Sequence, residues 1–117
     1  MTKLRTPAPV AGARMTGLGA YRPERVVTNA EIAPRIDSSD EWIQERTGII
    51  ERRFAASDET SVSMGAIAGA RAIDDAKLKA TDIDVVIVAT FTHRYATPSA
   101  AAEIAHLVGA INASAFD

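Results

Sequence analysis

Trp42 and Arg46, in the stretch DSSDEWIQERTGI (37–49), stand four residues apart. On a helix that spacing puts both side chains on one face. An aromatic plane beside a planar cation suits a ligand that joins a flat base to phosphates, because the ring can stack while the guanidinium meets the anion. Trp42 is the only tryptophan in the chain, and its window is strongly polar. On these residues alone two plainer roles stay open: a half-buried packing ring for Trp42, and an ion pair with a nearby Asp or Glu for Arg46.

The other candidates for chemistry are fewer. The chain has no cysteine, which excludes disulfides, thiolate-held metal and a thiol nucleophile within it. The lack of disulfides fits a reducing cytoplasm. His106 reads as a helix-surface residue and His93 as a structural loop residue, with a subunit contact as the alternative. Gly17-x-Gly19 lacks the third glycine of a dinucleotide loop, and the Arg22-Pro23 turn follows where a helix should start. A net charge of −2 with no long run of one sign argues against a nucleic-acid surface, and an aromatic fraction of 5% argues against base-stacking platforms. No apolar run approaches the ~18 residues of a membrane span, so no membrane partner is expected. The basic start, MTKLRTPAPVAGAR, has no apolar stretch and reads as a flexible tail over residues 1–13, not a signal peptide.

The remaining 14–117 is enough for one apolar core, since 47% of the 117 residues are apolar. RMTGLGAY (14–21) reads as a glycine-interrupted strand. Thr28 and Glu31 match a capping box that opens a short helix. Ser38 and Glu41 repeat the device for a second helix, which carries Trp42, Ile43 and Arg46 and stops at Gly48; Asp40 and Glu41 fall in its favourable first turn. IIERRFA (49–55) alternates like a strand. Residues 60–78 form the longest helical pattern, so rich in Gly and Ala that the helix should be sandwiched between layers. IDVVIVAT (83–90) is continuously apolar and reads as a strand buried on both faces, as in a parallel sheet. Thr97 as N-cap, Pro98 at the first helical position and Gly109 as stop bracket a further helix. ASAFD (113–117) begins another strand. The order β-α-α-β-α-β-α-β is that of a layered α/β protein.

Taken together, GLGAYRPERVVTN, DSSDEWIQERTGI, ERRFAA, the VIVAT strand, the TP-S-A helix start and the terminal AFD resemble β-ketoacyl-acyl-carrier-protein synthase III. The resemblance runs from about Arg14 to Asp117, and the S-D-E-W-I-x-x-R-T-G-I block is its most specific part. The spacing of THRYATP is closer to actinobacterial-type members than to enteric ones. The resemblance implies a layered α-β-α-β-α thiolase-like fold, of which this chain is the first part of the N-terminal half. It implies that Trp42 stacks on the adenine of coenzyme A, that Arg46 meets its phosphates, and that Thr47 and, less directly, Ser38 belong to the same site. Thr97 falls at the position that lies on the dimer edge and closes the partner subunit's acyl pocket, where its local role as N-cap is equally compatible.

The family's cysteine nucleophile and its catalytic histidine and asparagine lie beyond Asp117, and neither His93 nor His106 matches the histidine. The implied whole enzyme is a homodimer that takes an acyl group from acyl-CoA and condenses it with malonyl-acyl-carrier protein, with no metal or redox cofactor. Two other readings compete with it. One is a same-fold acyltransferase of secondary metabolism that skips decarboxylation. The other is a non-catalytic fragment or pseudo-enzyme subunit.

Overall fold

The structure is a computed structural model that describes residues 12–117. The expected tail, residues 1–13, falls outside the described residues except for its last two positions. The elements follow in the order β1 (Arg25–Thr28), α1 (Asn29–Ile36), α2 (Asp40–Thr47), β2 (Glu51–Phe54), α3 (Ser61–Asp75), a short 3-10 turn (Ala80–Asp82), β3 (Val85–Ile87), α4 (Ala100–Val108) and β4 (Ser114–Phe116). The strand and helix order is the expected one, but its first strand is not where the glycine pattern put it.

Residues 14–21 have no strand partner among the described residues. They run along α3 instead. Leu18 N donates to the Asp75 carboxylate at 3.0 Å, and Arg71 donates to the Ala20 carbonyl at 2.6 Å. The glycines permit the approach. A Cβ on Gly19 would lie 2.1 Å from the Ala68 carbonyl oxygen, and one on Gly17 would lie 2.4 Å from that of Ala72.

Two small sheets organise the rest. β1 and β2 pair antiparallel, Arg25 facing Phe54 and Thr28 facing Glu51; β3 and β4 pair parallel, Val85 facing Ser114 and Ile87 facing Phe116. The first sheet carries α1 and α2. The second packs against α4, which in turn packs on α3. The core there is Val62, Ala100 and Ile104, with Val86, Val88 and Val108 against it. Alanines at 100 and 101 are fully buried, and Gly65 sits where an added Cβ would meet Ile104 at 2.7 Å. These small residues bring α3 and α4 together, while Gly17 and Gly19 flank α3 elsewhere. The sandwiched setting read from its composition is therefore met on two sides, although only Val62 of α3 is buried.

The reading of IDVVIVAT as buried on both faces is corrected. Val86 and Val88 turn toward the core, but Val85 and Ile87, on the alternate face, are 47% and 66% exposed. No described element covers that face.

The caps also shift. Thr28 does precede α1, yet its side chain makes no capping bond; Glu31 pairs with Arg25 instead. The cap of α2 is Ser39, not Ser38: its hydroxyl accepts from Trp42 N at 3.2 Å. The cap of α4 is Ser99, not Thr97, and Pro98 therefore stands outside the helix. Asp117 completes that cap, its carboxylate accepting from Ala100 N at 2.8 Å and Ala101 N at 2.7 Å. Gly48 and Gly109 end α2 and α4 in the left-handed conformation, as expected.

Candidate functional site

The α2 helix owes little to burial. Of its eight residues only Ile43 is buried, and an isolated helix of that length is marginal in water. Polar contacts hold it at both ends. Asn29, 1% exposed, donates through its amide nitrogen to Asp40 Oδ1 at 2.7 Å and to the Ile49 carbonyl at 2.8 Å. Its amide oxygen accepts from Arg52 at 2.5 Å, and Arg52 also reaches the Val27 carbonyl at 3.4 Å. Asp40 further accepts from Gln44 Nε2 at 2.9 Å. The Gln44 amide first, and the Asn29 amide second, hold the Asp40 carboxyl below its ordinary pKa.

On this helix Trp42 is 54% exposed. The Arg46 guanidinium carbon lies 5.7 Å from the Trp42 ring centre, within cation–π range. The common face expected from their spacing is thus formed. A cavity of about 370 Å³ opens beside the ring, lined by Ile36, Asp37, Ser38, Ser39 and Trp42. The Ser38 hydroxyl oxygen is shielded from solvent and has no partner among the described residues. Ser38 is therefore brought to Trp42.

Thr47 is different. Its hydroxyl donates to the Ile43 carbonyl at 2.7 Å and accepts from Ile49 N at 3.1 Å, so it is engaged in ending the helix. Thr97 lies in the exposed loop before α4 and lines neither this cavity nor the next.

A second cavity, of about 510 Å³, lies between the start of α3 and the loop after β3, where His93, Arg94, Tyr95, Glu59 and Glu103 meet. His93 Nε2 stands 3.2 Å from the Pro98 carbonyl and 3.6 Å from Glu103 Oε1, which supports the loop role read for it. His106 is exposed on the last turn of α4. Among the described residues no group of three or more His, Cys, Asp or Glu could hold a metal ion, and no helix is long and apolar enough to cross a membrane. Asn29, Arg52 and Asp117 were not singled out from the sequence. Asn29 directly follows the Thr28 cap position, but nothing local marks it as a junction of three segments.

No protein-family model matches the chain. The mycobacterial β-ketoacyl-[acyl-carrier-protein] synthase III of Mycobacterium tuberculosis is 55% identical over 120 aligned residues, which take in 100% of this chain and 35% of that protein. The β-ketoacyl-[acyl-carrier-protein] synthase III of Mycobacteroides abscessus is 55% identical over 103 residues, 88% of this chain and 30% of that one. This chain is a homologue of β-ketoacyl-[acyl-carrier-protein] synthase III. It spans about a third of the length of the curated relatives it matches.

The crystal structure of the priming β-ketosynthase of the R1128 polyketide pathway superposes with a TM-score of 0.84 at 47% identity, over 89% of this chain and 31% of that one. The 3-oxoacyl-[acyl-carrier-protein] synthase III of Aquifex aeolicus does so with 0.83 at 39%, over 91% and 34%. The layered thiolase-type α/β fold implied by the sequence is the fold of these synthase neighbours, and this chain supplies one part of it.

Proposed function

We propose that this chain is part of a β-ketoacyl synthase III-type acyltransferase, which condenses an acyl group from acyl-CoA with malonyl-acyl-carrier protein, and that its own contribution is the recognition of coenzyme A. The observation that carries the reading is the exposed Trp42 ring, which borders an open cavity and has the Arg46 guanidinium beside it. The ring offers a face to adenine, and the cation offers charge-assisted bonds to the phosphates linked to it. Ser38, whose hydroxyl has no partner among the described residues, lines the same cavity. Thr47 serves this site indirectly, by closing the helix that carries Arg46. Half-identity to synthases along the whole chain supports the assignment.

In the reaction, the acyl group leaves the coenzyme A sulfur for a nucleophile that this cysteine-free sequence does not contain. The malonyl thioester then loses its carboxylate as CO2, and the α-carbanion left behind attacks the acyl carbonyl, breaking the bond to the nucleophile and freeing it for the next cycle. No metal or redox cofactor is required for either step. The enzyme acts as a cytoplasmic homodimer, with the Thr97 loop at the dimer edge beside the acyl pocket. Likeness to a polyketide priming ketosynthase supports the same chemistry at the start of either a fatty-acid or a polyketide chain.

Carboxyl-labelled malonyl-carrier protein tests the reaction in the intact protein. Release of labelled CO2 in step with free coenzyme A is the expected result. Coenzyme A released without CO2 would favour the non-decarboxylating acyltransferase, and release of neither would favour a non-catalytic role.

A further inference from the structure

We infer that Asn29 is a positioning residue for coenzyme A recognition: a buried amide that fixes the Trp42–Arg46 face without touching the ligand. The inference rests on the coenzyme reading given above.

Asn29 is the most buried polar residue of the described chain, and both bonds that its amide nitrogen donates go to the segment that bears the site. One amide nitrogen holds Asp40, the first residue of α2, and Ile49, two residues past its end. The helix and its turn back into β2 are therefore tied at a single point. The amide oxygen takes the Arg52 guanidinium, which anchors that point to both strands: Arg52 stands on β2 and bonds the Val27 carbonyl on β1. Burial supplies little competing restraint, because Ile43 alone of α2 is buried. Directional bonds thus set where the helix lies.

Asn is the residue type this junction requires. Asp in its place would lose both donated bonds and set a carboxylate against Asp40. Leu would leave the Arg52 guanidinium with only the longer bond to the Val27 carbonyl.

The arrangement makes a selective demand. Trp42 and Arg46 would meet the nucleotide end of coenzyme A, far from the reacting thioester. Loosening α2 should weaken acyl-CoA far more than an acyl-pantetheine thioester that lacks the nucleotide. A residue needed only for general folding would not separate the two substrates.

The experiment compares steady-state kinetics of the intact protein on acyl-CoA and on the matching acyl-pantetheine. The variants are Asn29→Ala, Asp40→Ala, Trp42→Ala and the double variant Asn29→Ala/Trp42→Ala. Asn29→Ala should raise the KM for acyl-CoA about five-fold more than that for acyl-pantetheine, as expected for a recognition element displaced and not removed. The double variant should fall short of the sum of the two single effects, because part of what the clamp positions, the ring, is already gone. Asp40→Ala cuts the same bond from the exposed side, so it gives the answer even if Asn29→Ala fails to fold.

Equal effects on both substrates from Asn29→Ala and Asp40→Ala, or full additivity with Trp42→Ala, would overturn the clamp while leaving the coenzyme site standing. If Trp42→Ala itself fails to separate the substrates, the coenzyme reading is lost and the clamp falls with it.

Discussion

Residues 25–54 close around an amide, whereas residues 61–116 close around alanines. In the first region the central buried side chain beside Val27 is Asn29, and what it joins is polar: Asp40, Arg52 and the Ile49 carbonyl. In the second, Ala100 and Ala101 are fully buried, and Gly65 marks a place where α3 approaches the Ile104 side chain. The two solutions differ in what they leave free. Close packing of small residues uses the helix faces themselves, so α3 and α4 have their apolar stripes occupied by each other and by β3. A helix held by hydrogen bonds at its ends keeps its outer face available. Hence α2 can carry an exposed tryptophan next to an arginine, a face offered to a ligand.

The sharpest way to break the comparison is with one glycine that abuts the close-packed helix α3 from residues 14–21 and one that ends the polar-held helix α2. Gly19→Val should cost about 3 kcal/mol in denaturant unfolding of the intact protein, since the new atoms meet the α3 backbone and neither side can relax cheaply. Gly48→Ala, at the end of the polar-held helix, should cost only about 1 kcal/mol. Nothing lies within 4 Å of its added Cβ, so only its positive φ of 69° opposes the change. If the two variants are equally destabilised, close backbone approach is not what distinguishes the regions.

Trp42→Ala probes the face itself. Removing one stacked aromatic should cost roughly 1–2 kcal/mol of coenzyme binding, a rise of roughly 5- to 30-fold in the KM for acyl-CoA with kcat nearly kept. Because the ring is half exposed, unfolding stability should hardly change. A large loss of stability with the same KM would make Trp42 a packing residue and remove the contrast drawn between the two regions.

Legibility followed another line, between local relations and partners distant in sequence. Trp42 and Arg46 could be paired from spacing alone, because an i, i+4 relation is a property of the helix and needs no knowledge of neighbours. Gly48 and Gly109 were legible for the same local reason. What failed was every reading in which a distant residue competes. Glu31 suits a capping box, but Arg25 claims it. Thr97 and Pro98 suit a helix start, but the Asp117 carboxylate, at the far end of β4, accepts the amides of Ala100 and Ala101 and sets the start later. The two serines at 38 and 39 are interchangeable on pattern; the fold puts 39 on the Trp42 amide and leaves 38 beside the ring. Asn29 was invisible because its partners are 11, 20 and 23 residues away.

The smallest expected effect comes from titrating the polar junction. Asp40 is held below its ordinary pKa by hydrogen bonds from Gln44 and, secondarily, Asn29. A carboxyl whose folded pKa is depressed contributes stability that is fully present above its unfolded value and is lost as pH falls through the folded one. At neutral pH the contribution is intact; it should fade only below about pH 4, the ordinary range for aspartate. Glu59 is lowered as well, chiefly by the Tyr21 hydroxyl, and would titrate in the same direction. A bare pH scan therefore mixes the two groups. Asp40→Asn separates them, because it keeps the shape and one acceptor while removing the titration. The stability gap between wild type and Asp40→Asn, measured by denaturant unfolding, should be present at pH 7 and shrink toward pH 3. Its partner experiment is Ser99→Ala at the α4 cap in an Asp117→Asn background, since the Asp117 carboxylate shares that cap; the lost acceptor is then a hydroxyl that does not titrate, and that gap should stay constant over the same range. A gap for Asp40→Asn that also stays constant would mean that the charge on Asp40 does no work at the junction, and that α2 is held by shape after all.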